Sequence, residues 1–102
     1  MQRGEVWWLE VPDSRRRPAV VLTRQVVLDR LSQVTVAAVT TQQRDIPTEV
    51  VLTVEQGMPR PCVVSLDNLH TIFRGFLTER ITTLDEATMS LVCRALRVAV
   101  AC

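Results

Sequence analysis

The stretch from Arg15 to Thr23, Arg-Arg-Arg-Pro-Ala-Val-Val-Leu-Thr, sets concentrated positive charge directly against a run of β-formers. Proline fixes φ and donates nothing to a ladder, so Pro18 is tolerated at the first residue of a strand, and Val20, Val21 and Leu22 supply the strand it opens. Arg17 therefore stands at a strand entrance on stiff backbone. Three adjacent guanidiniums repel one another unless they are solvated or face an anion, and their planar forks match phosphate oxygens. A solvated charged turn is the plainer alternative.

At 102 residues the chain is expected to form one domain, residues 1–102, with a single core and little margin, which dimerisation would widen. The apolar fraction of 47% lies above the disordered range, yet the apolar runs are too short for a membrane span. Glu5 and Glu10 interrupt any signal-peptide core. Cys62, Cys93 and Cys102 are an odd number without a C-x-x-C pair, and His70 is the only histidine. These features predict a cytoplasmic protein with free thiols, no metal site and no cofactor. The net charge of +1 is unevenly spread: residues 1–44 hold seven arginines against four acids, and residues 45–102 hold five against seven. Every cation is arginine, the side chain that grips phosphate bidentately.

Gly4 to Val11 alternates as a first strand, with Trp7, Leu9 and Val11 on one face and Val6, Trp8 and Glu10 on the other. Trp8 is either a base-stacking platform or a plug at the end of a barrel. Pro12 to Ser14 turn into the arginines, and Pro18 to Thr23 form the second strand. Arg24 to Leu31 fits a short helix or an irregular loop. Gln33 to Thr41 is the clearest strand and ends in polar side chains. Asp45 to Pro47 turn, Thr48 to Val54 form another strand, and Gly57, Pro59 and Pro61 mark a loop. Cys62 to Leu66 reads as a short strand ended by Asp67 and Asn68, Leu69 to Phe73 as a further pairing segment, and Leu77 to Ile81 as a last strand. Thr83-Leu-Asp-Glu86 has the form of a capping box. Behind it Leu84, Ala87, Leu91, Val92, Ala95, Leu96, Ala99 and Val100 recur at helical spacing. The fold class is thus mostly β, about six strongly curved antiparallel strands closing a small, partly open barrel on one C-terminal helix.

Taken together, Gly4-Glu5-Val6-Trp7, Arg17-Pro18-Ala19-Val20-Val21-Leu22, Val39-Thr40-Thr41-Gln42, Asp67-Asn68 and the terminal helix resemble the MazF/PemK (CcdB/PemK-like) toxin family over nearly the whole length. The resemblance implies an SH3-like barrel, a homodimer, and a metal-independent endoribonuclease that cuts single-stranded RNA at a short sequence. It also implies a cognate antitoxin as partner. The family's catalytic arginine and threonine fall on Arg17 and Thr40. The assignment is chemically sound: attack by a 2′-hydroxyl to give a 2′,3′-cyclic phosphate and a 5′-hydroxyl needs charge stabilisation at phosphorus and a phosphate fixed in line. Candidate RNA contacts are Trp8, Arg15, Arg16, Arg24, Thr41, Gln42, Asn68 and His70. Asn68 stands where the family usually has Gln, and His70 where it commonly has a basic residue. The first loop, Pro12 to Arg16, is shorter than in many members and lacks their acidic residue, so the general base is Glu10, Asp13 or a group supplied otherwise. Two other functions remain open at this point, a CcdB-like gyrase poison and a non-catalytic RNA-binding module of the same fold.

Overall fold

The computed structural model describes residues 1–102. Its strands are β1 (Glu5–Leu9), β2 (Arg17–Val21), β3 (Gln33–Thr40), β4 (Glu49–Leu52), β5 (Cys62–Phe73) and β6 (Leu77–Thr83). They form one six-stranded sheet in the order β4-β5-β3-β2-β1-β6, with every neighbouring pair antiparallel. A short helix α1 (Gln25–Leu28) joins β2 to β3, and α2 (Glu86–Val100) closes the chain. No helix is long and apolar enough to cross a membrane.

The unbroken apolar run after Pro18 has a simple cause. Strands β2 and β3 are central and are covered on both faces. Val20 and Leu22 join Ala37, Val39, Val64, Leu66, Val92 and Ala95 in the larger core under α2, while Ala19 and Val21 join Leu9, Leu28, Val34, Val36 and Leu77 in a smaller core on the other face. A strand buried on both sides has no polar face to alternate with. The ladder from β2 to β3 begins only at Ala19, one residue past Pro18, so the missing N–H is tolerated there.

Several boundaries differ from expectation. Strand β2 starts at Arg17 and not at Pro18, because Arg17 pairs with Leu9 of β1, and its last residue is Val21 and not Thr23. The expected fourth strand is only Glu49–Leu52, since Val54–Gln56 winds into a 3₁₀ turn. A genuine capping box, Thr53 with Gln56, sets that turn. Cys62 to Phe73 is one strand of 12 residues and not two. Ala37 pairs with Leu69 but Val39 with Val64, so Ser65 to Asn68 bulge opposite the single residue Ala38. The bulge bends the strand without ending it, letting its first half pair with β4 as well. Asp67 in this bend accepts a hydrogen bond from the buried Thr48 hydroxyl at 2.5 Å.

Thr83 is not the helix cap. It stays in β6, paired with Glu5, and Asp85 caps α2 by accepting from the Thr88 amide at 2.8 Å. The buried face of the helix is correspondingly turned: Thr88, Val92 and Ala95 are buried, with Met89, Cys93, Leu96 and Ala99 partly so, whereas Ala87, Leu91 and Val100 of the expected stripe are exposed.

Candidate active site

Strand pairing builds the site. Ala19 pairs with Ala38, Val20 with Ala37 and Val21 with Val36, which brings the start of β2, at Arg17, to the same end of the sheet as the end of β3, at Thr40. A donor at the start of one strand thereby shares the rim of the sheet with a hydroxyl at the end of its neighbour. Both line a cleft of about 390 Å³ together with Trp8, Arg15, Arg16, Pro18, Val39, Thr41, Met58, Pro59, Arg60 and Cys62. That volume suits a nucleotide-sized group.

The Thr40 hydroxyl is already oriented. Its oxygen accepts a hydrogen bond from the Gln42 amide at 3.2 Å, which leaves its own hydrogen free to donate to a ligand in the cleft. Gln42 thus serves Thr40 through its backbone, and its side chain lies outside the cleft lining. Arg17 is exposed, and of the four cleft arginines only Arg16 lies within ion-pair distance of a carboxylate, Glu10 at 4.0 Å. The cleft is therefore strongly cationic, which attracts anions and concentrates them there. Arg16 also lies over Trp8, with its guanidinium carbon 3.9 Å from the ring centroid.

The second wall was not anticipated. Met58, Pro59, Arg60 and Cys62 reach the cleft from the loop that leads into β5. Gly57 starts that loop with φ of 103°, a left-handed conformation that a side chain would strain, and an added Cβ would lie 2.5 Å from the Thr82 hydroxyl oxygen. Gln56 ties the loop down further: its side-chain amide donates to the Thr88 hydroxyl at 2.9 Å, and its carbonyl accepts from the Thr82 hydroxyl at 2.8 Å. The only available sequence signal for Arg60 was its position between two prolines. Burial pushes the Cys62 thiol up, which disfavours its thiolate.

Other predicted residues lie elsewhere. Arg24 lines a separate groove with Leu22, Thr23, Leu31 and Thr35. Asn68 and His70 are exposed on β5, His70 opposite Val36, and neither lines the cleft. Glu10 is held by the Thr78 hydroxyl and borders the site only through Arg16. Asp13 sits at φ of 62° in the exposed turn before the arginines, away from the cleft lining.

The chain is 42% identical over 103 residues to the probable endoribonuclease MazF2 of Mycobacterium tuberculosis strain H37Rv, with the whole of both chains covered. Its fold superposes on the M. tuberculosis toxin MazF-mt6 with a TM-score of 0.87 at 33% identity, covering 95% of this chain and 96% of that one. An endoribonuclease from a mycobacterial species, solved with its cognate antitoxin, shares the fold with a TM-score of 0.89 at 23% identity, covering 99% of this chain and 95% of that one. With residues 2–100 also matching the family model, the chain belongs to the PemK-like, MazF-like toxins of type II toxin–antitoxin systems.

Proposed function

We propose that this toxin is a metal-independent endoribonuclease that cuts single-stranded RNA at a short sequence, with Arg17 and Thr40 as its catalytic residues. The observation that carries the reading is that the adjacent ends of β2 and β3 bring Arg17 and Thr40 into one cationic cleft. In the reaction the substrate's 2′-oxygen attacks the adjacent phosphorus and the bond from phosphorus to the 5′-oxygen breaks. The 2′-hydroxyl proton leaves to a base, and the departing 5′-oxygen gains a proton. The products are a 2′,3′-cyclic phosphate and a 5′-hydroxyl. Arg17 neutralises charge on the non-bridging oxygens, where a preorganised donor acts most strongly, and can supply a proton contact to the leaving oxygen. Thr40 donates its free hydrogen to the phosphate and holds it in line for attack. Trp8, Arg15, Arg16 and Thr41 bind the strand on either side. Since Glu10 and Asp13 lie outside the cleft lining, either one acting as base requires the first loop to move or a water to relay the proton.

Family membership supports an antitoxin partner that covers this cleft, and cytoplasmic action on cellular RNA. A homodimer is the assembly we assign, with exposed Val51 of β4 and Leu91 and Val98 of α2 as apolar surface that a second copy covers. The experiment is incubation with total RNA in excess EDTA, followed by mapping of 5′-hydroxyl ends. Wild type is expected to give discrete ends sharing a sequence, and Arg17→Ala and Thr40→Ala each to lower the rate by roughly 10² to 10³. Absence of cleavage in EDTA, or variants that cut as well as wild type, would remove the proposal.

A further inference from the structure

Arg16 is posed differently from the arginines beside it. Its guanidinium stacks on Trp8 at 3.9 Å and is tethered by Glu10 at 4.0 Å, while Glu10 is itself held by Thr78 of β6. Trp8 is half-buried and lines the cleft together with Arg16, so the guanidinium covers one face of a ring at the cleft. A nucleobase and a guanidinium are both planar and delocalised, and both stack on indole at this spacing. One ring face takes one of them.

We infer that Trp8 is the seat of one unpaired nucleobase and that Arg16 occupies this seat in the free protein. RNA binding exchanges guanidinium for base on the same ring and releases Arg16 to the RNA backbone. The inference rests on the ribonuclease reading above and names two residues that give it selectivity. The exchange is easy in physical terms. Both Arg16 and Glu10 are about half-exposed, with side-chain exposures of 49% and 44%, so their ion pair is screened and weak. An incoming phosphate offers Arg16 a stronger, bidentate partner than the ring it leaves. Stacking accepts any base, so the seat selects for an unstacked base at one position and against paired RNA.

The test uses an oligoribonucleotide spanning the mapped cut, with 2′-deoxyribose at the nucleotide whose 2′-hydroxyl attacks, so that it binds without being cleaved. Single abasic substitutions are placed along it, and binding is measured over a range of salt concentrations. At one position, loss of the base should weaken wild-type binding about tenfold and leave Trp8→Leu, which keeps apolar volume without a stacking ring, unaffected. For the surface variant Arg16→Ala, the slope of log affinity against log salt should shrink by about one phosphate contact. At high salt, where phosphate contacts are screened, the same variant should bind roughly two- to fivefold more tightly than wild type, because its ring is already clear. A phosphate contact without the exchange would shrink the slope and give no tightening at high salt, and that result overturns the inference. So does an abasic series in which no position depends on Trp8. If wild type cleaves RNA and either of these results is obtained, the seat alone falls; if wild type does not cleave, the ribonuclease reading falls with it.

Discussion

Arg60 is the residue whose role depends most on the tertiary structure. It is exposed between Pro59 and Pro61 and lines the cleft across from Arg15 to Arg17, with no carboxylate in ion-pair range. A cation on the far wall can hold a phosphate neighbouring the scissile one without touching the reacting atoms. Arg60→Ala is therefore expected to raise KM several-fold with kcat near wild type, and to lower the salt slope of binding by about one. Steady-state kinetics at two salt concentrations check this; a kcat loss matching that of Arg17→Ala would mean that Arg60 takes part in the chemistry. Arg17 and Thr40 stand out beforehand only through the strings that resemble the family, Arg17-Pro18-Ala19-Val20-Val21-Leu22 and Val39-Thr40-Thr41-Gln42, and their catalytic role is the one proposed above. Arg60 does not, since nothing local to Met58-Pro59-Arg60 says which strand end it faces. Asn68 and His70 show the converse: their neighbourhood in sequence matched, yet the bulge at Ser65 to Asn68 and the continuation of β5 leave both outside the cleft lining.

At the scale of elements, the start of α2 separates pattern from geometry. Thr83-Leu-Asp-Glu86 satisfies a capping-box pattern, but the Thr83 backbone is committed to β6 opposite Glu5, and the helix begins after Asp85. The reach of the sheet moves the cap two residues along, from Thr83 to Asp85. Asp85→Ala should lower the melting temperature by about 5 °C, the loss of an ordinary cap in a chain of this size, whereas Thr83→Ala should stay close to wild type. Thermal denaturation of the two variants decides it, and the reverse order would return the cap to Thr83. Strand β5 carries the same lesson. Asp67-Asn68 resembles a strand stop, and in isolation it would be one; inside the sheet, pairing with β3 resumes at Leu69 and overrides the local signal.

For the whole molecule, the two ends of the chain are joined around one buried charge. Glu5 lies in β1 beside β6, with 7% of its side chain exposed. Burial would raise its pKa, but hydrogen bonds from the Trp7 indole at 3.0 Å and the Gln2 amide at 2.7 Å, the N-terminal charge and Arg80 at 3.4 Å outweigh this and hold it below the usual value. Asp85 is likewise held low, chiefly by the Thr88 amide. A carboxyl with a depressed folded-state pKa adds stability that is complete above its unfolded value and is lost as the pH falls through the folded one. The melting temperature should therefore drop as the pH is lowered below about 4, and the drop should be shallower in Glu5→Gln, whose starting stability is lower. Melting curves between neutral and acid pH measure both; an equal drop in the variant would remove Glu5 from this account.

Periodicity, breakers and turn residues by themselves determined that the chain makes about six short strands and a final helix, that Arg17 stands at a strand entrance beside Pro18 and that another strand ends in polar side chains around Thr40. Those are properties of neighbours in sequence, where steric and hydrophobic preferences act directly. Which strands lie side by side, where β5 bends, which face of α2 is buried and which loop forms the far wall of the cleft were decided only in the tertiary structure. Each of these depends on contacts between residues far apart in the chain, such as Gln56 with Thr88 or Gly57 with Thr82, which local preference does not encode.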